Sequence, residues 1–134
     1  MLDWIFRRRR LLADAKLLGK WGEKRSERFL KCKGFVLLER GFSRSAGEID
    51  LVMAERNGTI VFVEVKTRSN EEFDNAESAI TSEKKARLVK AARSFIKQHR
   101  IEDRPCRFDV VAIVLGRKGR PQIRHYENAF TPSD

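Results

Sequence analysis

Three ionisable side chains, Asp50, Glu64 and Lys66, lie within two apolar runs of the chain. The runs belong to the stretch from Gly47 to Arg68, which reads GEIDLVMAERNGTIVFVEVKTR. Apolar runs of this kind form buried strands, and a buried charge is costly unless it is paired or binds a metal ion. The three residues therefore indicate either an ion pair or a shared metal site.

Two strands joined by a tight turn are predicted to position these residues. Ile49–Ala54 and Thr59–Val65 are rich in apolar residues, and the intervening Arg56-Asn57-Gly58 is typical of a turn. Because side chains alternate between the two faces of a strand, Glu64 and Lys66 share one face. Both faces of the second strand are mostly apolar, so we expect it in the interior of a sheet.

The length of the turn decides whether Asp50 joins Glu64. A two-residue loop would place Asp50 opposite Val65, whereas a three-residue loop, Arg56 to Gly58, would place it opposite Glu64. We favour the longer loop, because it requires a left-handed glycine at its end and Gly58 stands there. Directly paired Cβ atoms lie about 5 Å apart. At that distance the two carboxylates could share one divalent cation.

These residues and two flanking motifs carry a family resemblance. Gly47-Glu48-Ile49-Asp50 followed by Phe62-Val63-Glu64-Val65-Lys66 resembles the metal-binding core of the PD-(D/E)XK nuclease superfamily. From about Gly19 to about Tyr126 the chain is similar to the small YraN (UPF0102) proteins, distant relatives of archaeal Holliday-junction resolvases. The flanking motifs are Gly19-x-x-Gly22-Glu23 and Arg107-Phe108-Asp109-Val110-Val111. The resemblance implies a restriction-endonuclease-like α/β fold of three layers, with a central mixed sheet of about five strands flanked by helices.

Chemistry and resemblance together give each residue a role. Asp50 and Glu64 would hold Mg²⁺ or Mn²⁺, with the Val65 carbonyl as a third oxygen ligand. Lys66 would orient the attacking water or neutralise charge on a phosphate. The resemblance assigns Glu23 as a helix carboxylate facing the metal, where it could hold a water or a second ion. The alternatives are a Glu64–Lys66 ion pair, a turn-capping role for Asp50, and an ordinary surface position for Glu23.

Composition and charge limit the class of protein. The 134 residues are 41% hydrophobic, enough for one domain with a buried core. The net charge of +10 and pI of about 10.1 favour nucleic acid as partner, with an anionic membrane surface second and a merely basic soluble protein as the plain alternative. Cys32 and Cys106 have no metal or redox spacing, and no apolar stretch could span a bilayer. We therefore expect a cytoplasmic protein with no membrane partner.

Three regions are predicted along the chain. They are a basic N-terminal arm over residues 1–15, an endonuclease-like domain over 16–127 and a flexible tail over 128–134. The arm contains the run Arg7–Arg10 and is either a solvated segment or a contact for phosphates. A polar loop is predicted over 69–81. The remaining predicted elements are a helix at Lys16–Lys33, a second helix capped by Ser82 or Thr81 and running to about His99, and strands at Val36–Phe42, Arg107–Leu115 and Gln122–Tyr126.

Acids and bases outside the hairpin are the other candidates. On the first helix, Glu23 is predicted at the border of the inward face, and Glu27 is predicted further into solvent. Asp109 lies in an apolar strand, where it either pairs with a nearby lysine or arginine or supports the metal site. The candidate nucleic-acid contacts are Arg40, Arg44, Arg68 and Lys84, although a surface arginine is the commoner explanation for Arg40 and Arg44.

Two functions from different classes follow. The first is a metal-dependent nuclease, a phosphodiester hydrolase acting on nucleic acid, most readily DNA in branched or single-stranded form. The second is a non-catalytic nucleic-acid-binding module with a nuclease-like fold. The complete set of Asp50, Glu64 and Lys66 favours the nuclease, and an adaptor for a protein complex is a third option. By analogy with the resolvases, the chain could work as a homodimer.

Overall fold

The structure is a computed structural model that describes residues 2–68, 80–116 and 120–132. Most of the loop predicted over 69–81 lies outside these residues. Within the described ranges the chain forms three helices and five strands, in the order α1 (Leu2–Ala13), α2 (Ala15–Cys32), β1 (Val36–Arg44), β2 (Gly47–Ala54), β3 (Ile60–Arg68), α3 (Ser82–His99), β4 (Cys106–Val114) and β5 (Gln122–Phe130).

The five strands form one mixed sheet in the order β1-β2-β3-β4-β5. Strands β3 and β4 are parallel, and the other neighbouring pairs are antiparallel. A parallel pair requires a crossover connection, and α3 lies within it. Strands β3 and β4 are both interior, as their apolar faces predict. The predicted α/β architecture, a mixed sheet between layers of helices, is confirmed.

Each face of the sheet packs against its own helices. Alternation along β3 sends Ile60 and Phe62 to a core shared with α3, and Val61 and Val63 to a core shared with α1 and α2. The α3 core includes the contact of Phe62 with Phe95, whose ring centroids are 5.9 Å apart. Residues on β3 therefore reach either helical layer according to their position in the sequence.

Side-chain caps fix where the two long helices begin. Asp14 Oδ1 accepts hydrogen bonds from Lys16 N and Leu17 N, over 3.1 and 3.2 Å, at the start of α2. Thr81 Oγ1 accepts a hydrogen bond from Lys84 N over 3.1 Å at the start of α3. Lys84 is thereby fixed in the first turn of α3. No helix in the described ranges is long and apolar enough to cross a membrane.

Both ends of the described chain are more ordered than the sequence predicts. The segment predicted as a basic arm forms α1, which packs on α2 through buried Leu11 and a contact of Trp4 with Trp21, at 6.0 Å between centroids. The hairpin predicted to end at Tyr126 continues as β5 to Phe130, whose ring stacks on Phe108 at 4.8 Å. Both differences have the same cause. Trp4 in α1 and Phe130 in β5 each pack on a buried aromatic residue that lies elsewhere in the sequence.

Candidate active site

The turn between β2 and β3 has the predicted length. Glu55 N donates a hydrogen bond to the Thr59 carbonyl over 2.9 Å, which leaves a loop of three residues from Arg56 to Gly58. Gly58 has a φ of +91°, a conformation that other residues rarely adopt. The prediction that Gly58 ends the loop in the left-handed region is confirmed.

The register that follows brings Asp50 to Glu64. The ladder between β2 and β3 runs as far as the pair Leu51 and Val63, and one more step in the same register places Asp50 opposite Glu64. The backbone pairing of the two strands ends there, and the next contact between the strands is made by the side chain of Asp50. Its Oδ2 accepts a hydrogen bond from Val65 N over 2.8 Å. The carboxylate therefore lies in the seam between the two strands.

Glu64 is buried, and Asp50 beside it is partly buried. The pKa of Asp50 is raised to about 8, first by burial and then by the hydrogen bond and charge of Glu64. The Val65 N–H and the charge of Lys84 act in the opposite direction. Two carboxylates this close cannot both ionise readily in an apolar setting. The raised pKa therefore favours the protonated form of Asp50 at neutral pH when no cation is present.

One oxygen of Glu64 is an incompletely satisfied acceptor. The residue is 5% exposed, and no described group donates an aligned hydrogen bond to its Oε2. Lys84 Nζ lies 3.2 Å from this oxygen, which is within reach of an ion pair but outside hydrogen-bond alignment. Buried polar atoms without a donor are rare in folded proteins and call for an explanation.

Lys66 projects beside this pair, as the alternation of β3 predicts. It is half-buried, and its pKa is lowered, first by burial and then by the charge of Lys84. Glu64 opposes that shift, and Arg68 adds to it. The site thus combines a carboxylate of raised pKa, Asp50, with a lysine of lowered pKa, Lys66, and perturbed groups of both signs are typical of functional sites.

Glu23 approaches from α2, on the other side of the sheet. The neighbouring Gly22 allows this, because a Cβ at that position would lie 2.3 Å from Thr67 Oγ1 on β3. The pKa of Glu23 is raised, first by burial and then by the charges of Asp50 and Glu48. Glu23 is therefore close enough to Asp50 and Glu48 for their charges to act on it.

A cleft of about 440 Å³ opens from the carboxylate pair between β2 and α3. A Cβ at Gly47 would lie 2.7 Å from the Arg87 carbonyl oxygen, so only glycine lets α3 approach this closely. The acid Glu48 was not singled out from the sequence, although it stands within the Gly47–Asp50 motif. The residues lining the cleft are Ser43, Arg44, Ser45, Ala46, Gly47, Glu48, Asp50, Glu64, Lys84, Arg87 and Leu88.

The structure brings only part of the predicted basic set to the cleft. Lys84 and Arg44 line it, and Arg44 also donates to Gln98 Oε1 and stacks over Phe42. Arg68 is exposed at the end of β3, beyond Lys66. Arg40 lies outside the cleft lining, because its guanidinium pairs with a carboxylate on α2. Arg87 lines the cleft and was predicted only as part of a basic helix face.

The carboxylate that holds Arg40 is Glu27, and its predicted exposure is wrong. Glu27 is 8% exposed and accepts hydrogen bonds from Arg40 Nε and Nη2 over 2.6 and 2.9 Å. Lys31 Nζ lies 2.7 Å from its Oε2. These partners lower the pKa of Glu27 to about 2, with the Arg40 hydrogen bond as the largest cause. The partner on β1 could not be seen in the helical pattern of α2.

Asp109 pairs with a nearby arginine, the first of its two predicted alternatives. It is fully buried, and it accepts hydrogen bonds from Arg107 Nε over 2.9 Å and from Asn128 N over 2.9 Å. His125 Nε2 lies 2.7 Å from its Oδ2. Its side chain is on the α2 side of the sheet, since Val63 beside it belongs to that core. We call Asp109, Arg107, His125 and Asn128 the Asp109 network.

The residues present suit a divalent cation with oxygen ligands. Among the described residues, no three carboxylate, imidazole or thiolate side chains are already arranged around one point. Magnesium, however, is usually held by one or two carboxylates and retains several waters. The paired carboxylates of Asp50 and Glu64, with the unsatisfied Oε2 of Glu64, supply such a set. The donor chemistry therefore fits, and Val65 adjoins it on β3.

Comparison with known proteins places the chain in a family. The model of the Uncharacterised protein family UPF0102 matches residues 22–113. A UPF0102 protein of Pelotomaculum thermopropionicum is 42% identical over 121 residues, covering 89% of this chain and 100% of the relative. UPF0102 proteins of Geotalea daltonii and Bacteroides fragilis are 42% and 39% identical, covering 87% and 90% of this chain and 91% and 98% of the relatives. The chain therefore belongs to the UPF0102 family.

Proposed function

We propose that the chain is a metal-dependent nuclease of the PD-(D/E)XK type that hydrolyses phosphodiester bonds in nucleic acid, with DNA as the expected substrate. The observation that carries the proposal is the Asp50–Glu64 pair, two carboxylates close enough for Glu64 to raise the pKa of Asp50, which line a cleft together with cations. A purely structural role explains such a pair poorly, because burying two like charges together costs stability.

Asp50 and Glu64 would hold Mg²⁺ or Mn²⁺, with the Val65 carbonyl as a third oxygen. When bound, the ion would supply a Lewis acid that lowers the pKa of a water and balances charge on the scissile phosphate. Glu23 faces the same acids from α2 and would position a water by accepting its hydrogen bond. The protein's carboxylates thus order the reacting groups around one point of the cleft.

Lys66 would act at the attacked phosphate. Its position beside Glu64 allows its ammonium to orient the attacking water and to stabilise the negative charge that develops on the phosphate. Lys84, Arg44 and Arg87 line the cleft and would bind the backbone phosphates on either side. Backbone contacts of this kind carry no sequence information, so we expect little sequence preference.

The exposed free thiols of Cys32 and Cys106 support a reducing, cytoplasmic location.

One observation favours a non-catalytic nucleic-acid-binding module instead. The Lys84–Glu64 ion pair already neutralises the carboxylate that the nuclease would need for metal. If the protein is such a module, the cations of the cleft bind phosphates, and the acids only fix the positions of the lysines through ion pairs. The two functions predict the same affinity for nucleic acid and differ in turnover.

A cleavage assay separates them. Wild-type protein and Asp50→Asn are compared with Mg²⁺ and with Mn²⁺ on single-stranded, duplex, flap and four-way DNA and on the matching RNA. Metal-dependent cleavage by the wild type, absent in Asp50→Asn, would support the nuclease. Binding of any of these substrates without cleavage would favour the binding module, and neither binding nor cleavage would reject both functions and leave the adaptor.

A further inference from the structure

Lys84 lies where a cation would neutralise Glu64. Its Nζ is 3.2 Å from Glu64 Oε2, and its charge lowers the pKa of both Asp50 and Lys66. A single ammonium on α3 is therefore in electrostatic contact with the proposed metal ligands and with the proposed catalytic lysine.

The helix position itself disfavours a lysine. Lys84 is the third residue after the cap Thr81, whose Oγ1 accepts the Lys84 N–H. The positive end of the helix dipole lies in this turn, where acidic residues are stabilising and cations are not. The attraction of Glu64 offsets that penalty. The interaction with Glu64, and not the stability of the helix, therefore accounts for a lysine at this position.

The side chain of Lys84 is also free to leave. It is 40% exposed, while that of Glu64 is 5% exposed. The four-carbon stem of lysine is flexible, and the residue lines the cleft rather than the core. Lys84 can therefore move away from Glu64 by rotation of its own side chain, without any change in the sheet.

We propose that Lys84 is a built-in counterion for Glu64, which a divalent cation displaces into the cleft when it binds. The inference rests on the proposed metal site of Asp50 and Glu64. Displacement leaves the ammonium of Lys84 in the cleft, where a phosphate of the substrate can take the place of Glu64 as its partner. Lys84 is thus a positioning residue that couples occupancy of the metal site to recognition of the nucleic acid.

The test measures Mn²⁺ binding by titration calorimetry on the full chain, without nucleic acid. Lys84→Met removes the competitor, and we expect Mn²⁺ to bind about tenfold more tightly, because a like charge at contact distance is gone. Lys90→Met, on the exposed side of the same helix, removes the same unit of charge. We expect it to change the affinity little, because solvent screens that charge. Lys84→Arg keeps a cation and should bind Mn²⁺ no more tightly than the wild type.

The outcomes separate this inference from the proposed function. If the wild type binds Mn²⁺ and Lys84→Met binds it equally or less tightly, the role of Lys84 is overturned while the metal site stands. If neither binds, both are overturned. Binding by Lys84→Met alone would support a strong internal competitor. Should thermal melting show that Lys84→Met is unfolded, Lys84→Gln, which removes the charge but keeps a polar side chain, takes its place under the same criteria.

Discussion

Two groups of acids in this sheet differ in the hydrogen-bond donors that surround them. Asp109 and Glu64 are both interior, at 0% and 5% exposure. Asp109 accepts bonds from Arg107, His125 and Asn128 N, so both its oxygens are satisfied. Glu64 instead faces another carboxylate, and its Oε2 has no aligned donor among the described residues.

The pKa shifts of the two aspartates express the same difference. Burial alone raises the pKa of both. At Asp109 the hydrogen bonds of His125 and Arg107 outweigh burial, so its pKa is lowered. At Asp50 the only described backbone donor is Val65 N, Glu64 adds to the effect of burial, and the pKa rises to about 8. Burial of an acid alone therefore does not distinguish the two sites, whereas the presence or absence of compensating donors does.

The largest expected effect is loss of metal binding. Asp50→Asn and Glu64→Gln each remove a ligand charge, and we expect either change to abolish Mn²⁺ binding in calorimetry while the protein stays folded. Glu83→Gln is the control, since it removes an exposed acid from the first turn of α3. Unchanged affinity in either site variant would exclude that residue as a ligand.

The same substitution at the other aspartate should act on folding. Asp109→Asn removes the charge of a fully buried acceptor, whereas Arg107 is partly buried and keeps its ion pair with Glu55 over 2.9 Å. We therefore expect a loss of about 1–3 kcal/mol, the cost of leaving buried hydrogen-bonding groups poorly satisfied. Urea denaturation of Asp109→Asn measures the loss, with the exposed Asp103→Asn as its control. A loss below about 1 kcal/mol, the size of one ordinary hydrogen bond, would show that the Asp109 network is not a structural anchor.

A smaller effect is expected from the lysine beside the carboxylate pair. Lys66→Ala should reduce single-turnover cleavage about 100-fold, as loss of one electrostatic stabiliser does. Affinity for DNA should change little, because other lysines and arginines hold the backbone. Filter binding at several salt concentrations and thermal melting on the same protein complete the measurement. Cleavage equal to that of the wild type would rule out a catalytic role for Lys66, and a large loss of stability would mean that it serves Glu64 structurally.

The local part of the site could be predicted from the sequence. Alternation along β3 placed Glu64 and Lys66 on one face, and the glycine requirement at position 58 fixed the register that brings Asp50 to them. Both arguments depend on residues within one hairpin. Glu23 lies further away, and the resemblance was needed to identify it because its helical pattern placed it only at a border.

The non-local partners could not be predicted. Glu64 on β3 pairs with Lys84 on α3. Glu27 on α2 pairs with Arg40 on β1, and Asp109 on β4 contacts His125 on β5. Each pairing depends on how the helices and strands pack, which periodicity within one element does not encode. The helix α1 was missed for the same reason, since its partner Trp21 is on α2.

The smallest expected effect is a difference in how stability depends on pH. The pKa of Asp50 rises from 3.8 unfolded to about 8 folded, so between these values the folded state binds more protons than the unfolded state. Stability of the metal-free protein therefore falls as pH rises through this window. Asp50→Asn mimics the protonated form and should avoid the fall.

We expect the advantage of Asp50→Asn over the wild type to widen by about 1 kcal/mol or more between pH 5 and pH 8, since one unit of pKa corresponds to about 1.4 kcal/mol. Urea denaturation in EDTA at several pH values measures it. Asp109→Asn is the matched comparison: a lowered pKa stabilises above the unfolded pKa and is lost only in acid, so its deficit should stay constant over the same range. If the difference at Asp50 is also constant, the carboxylate pair does not exchange a proton in this window, and the two groups of acids would not differ in the way their hydrogen bonds imply.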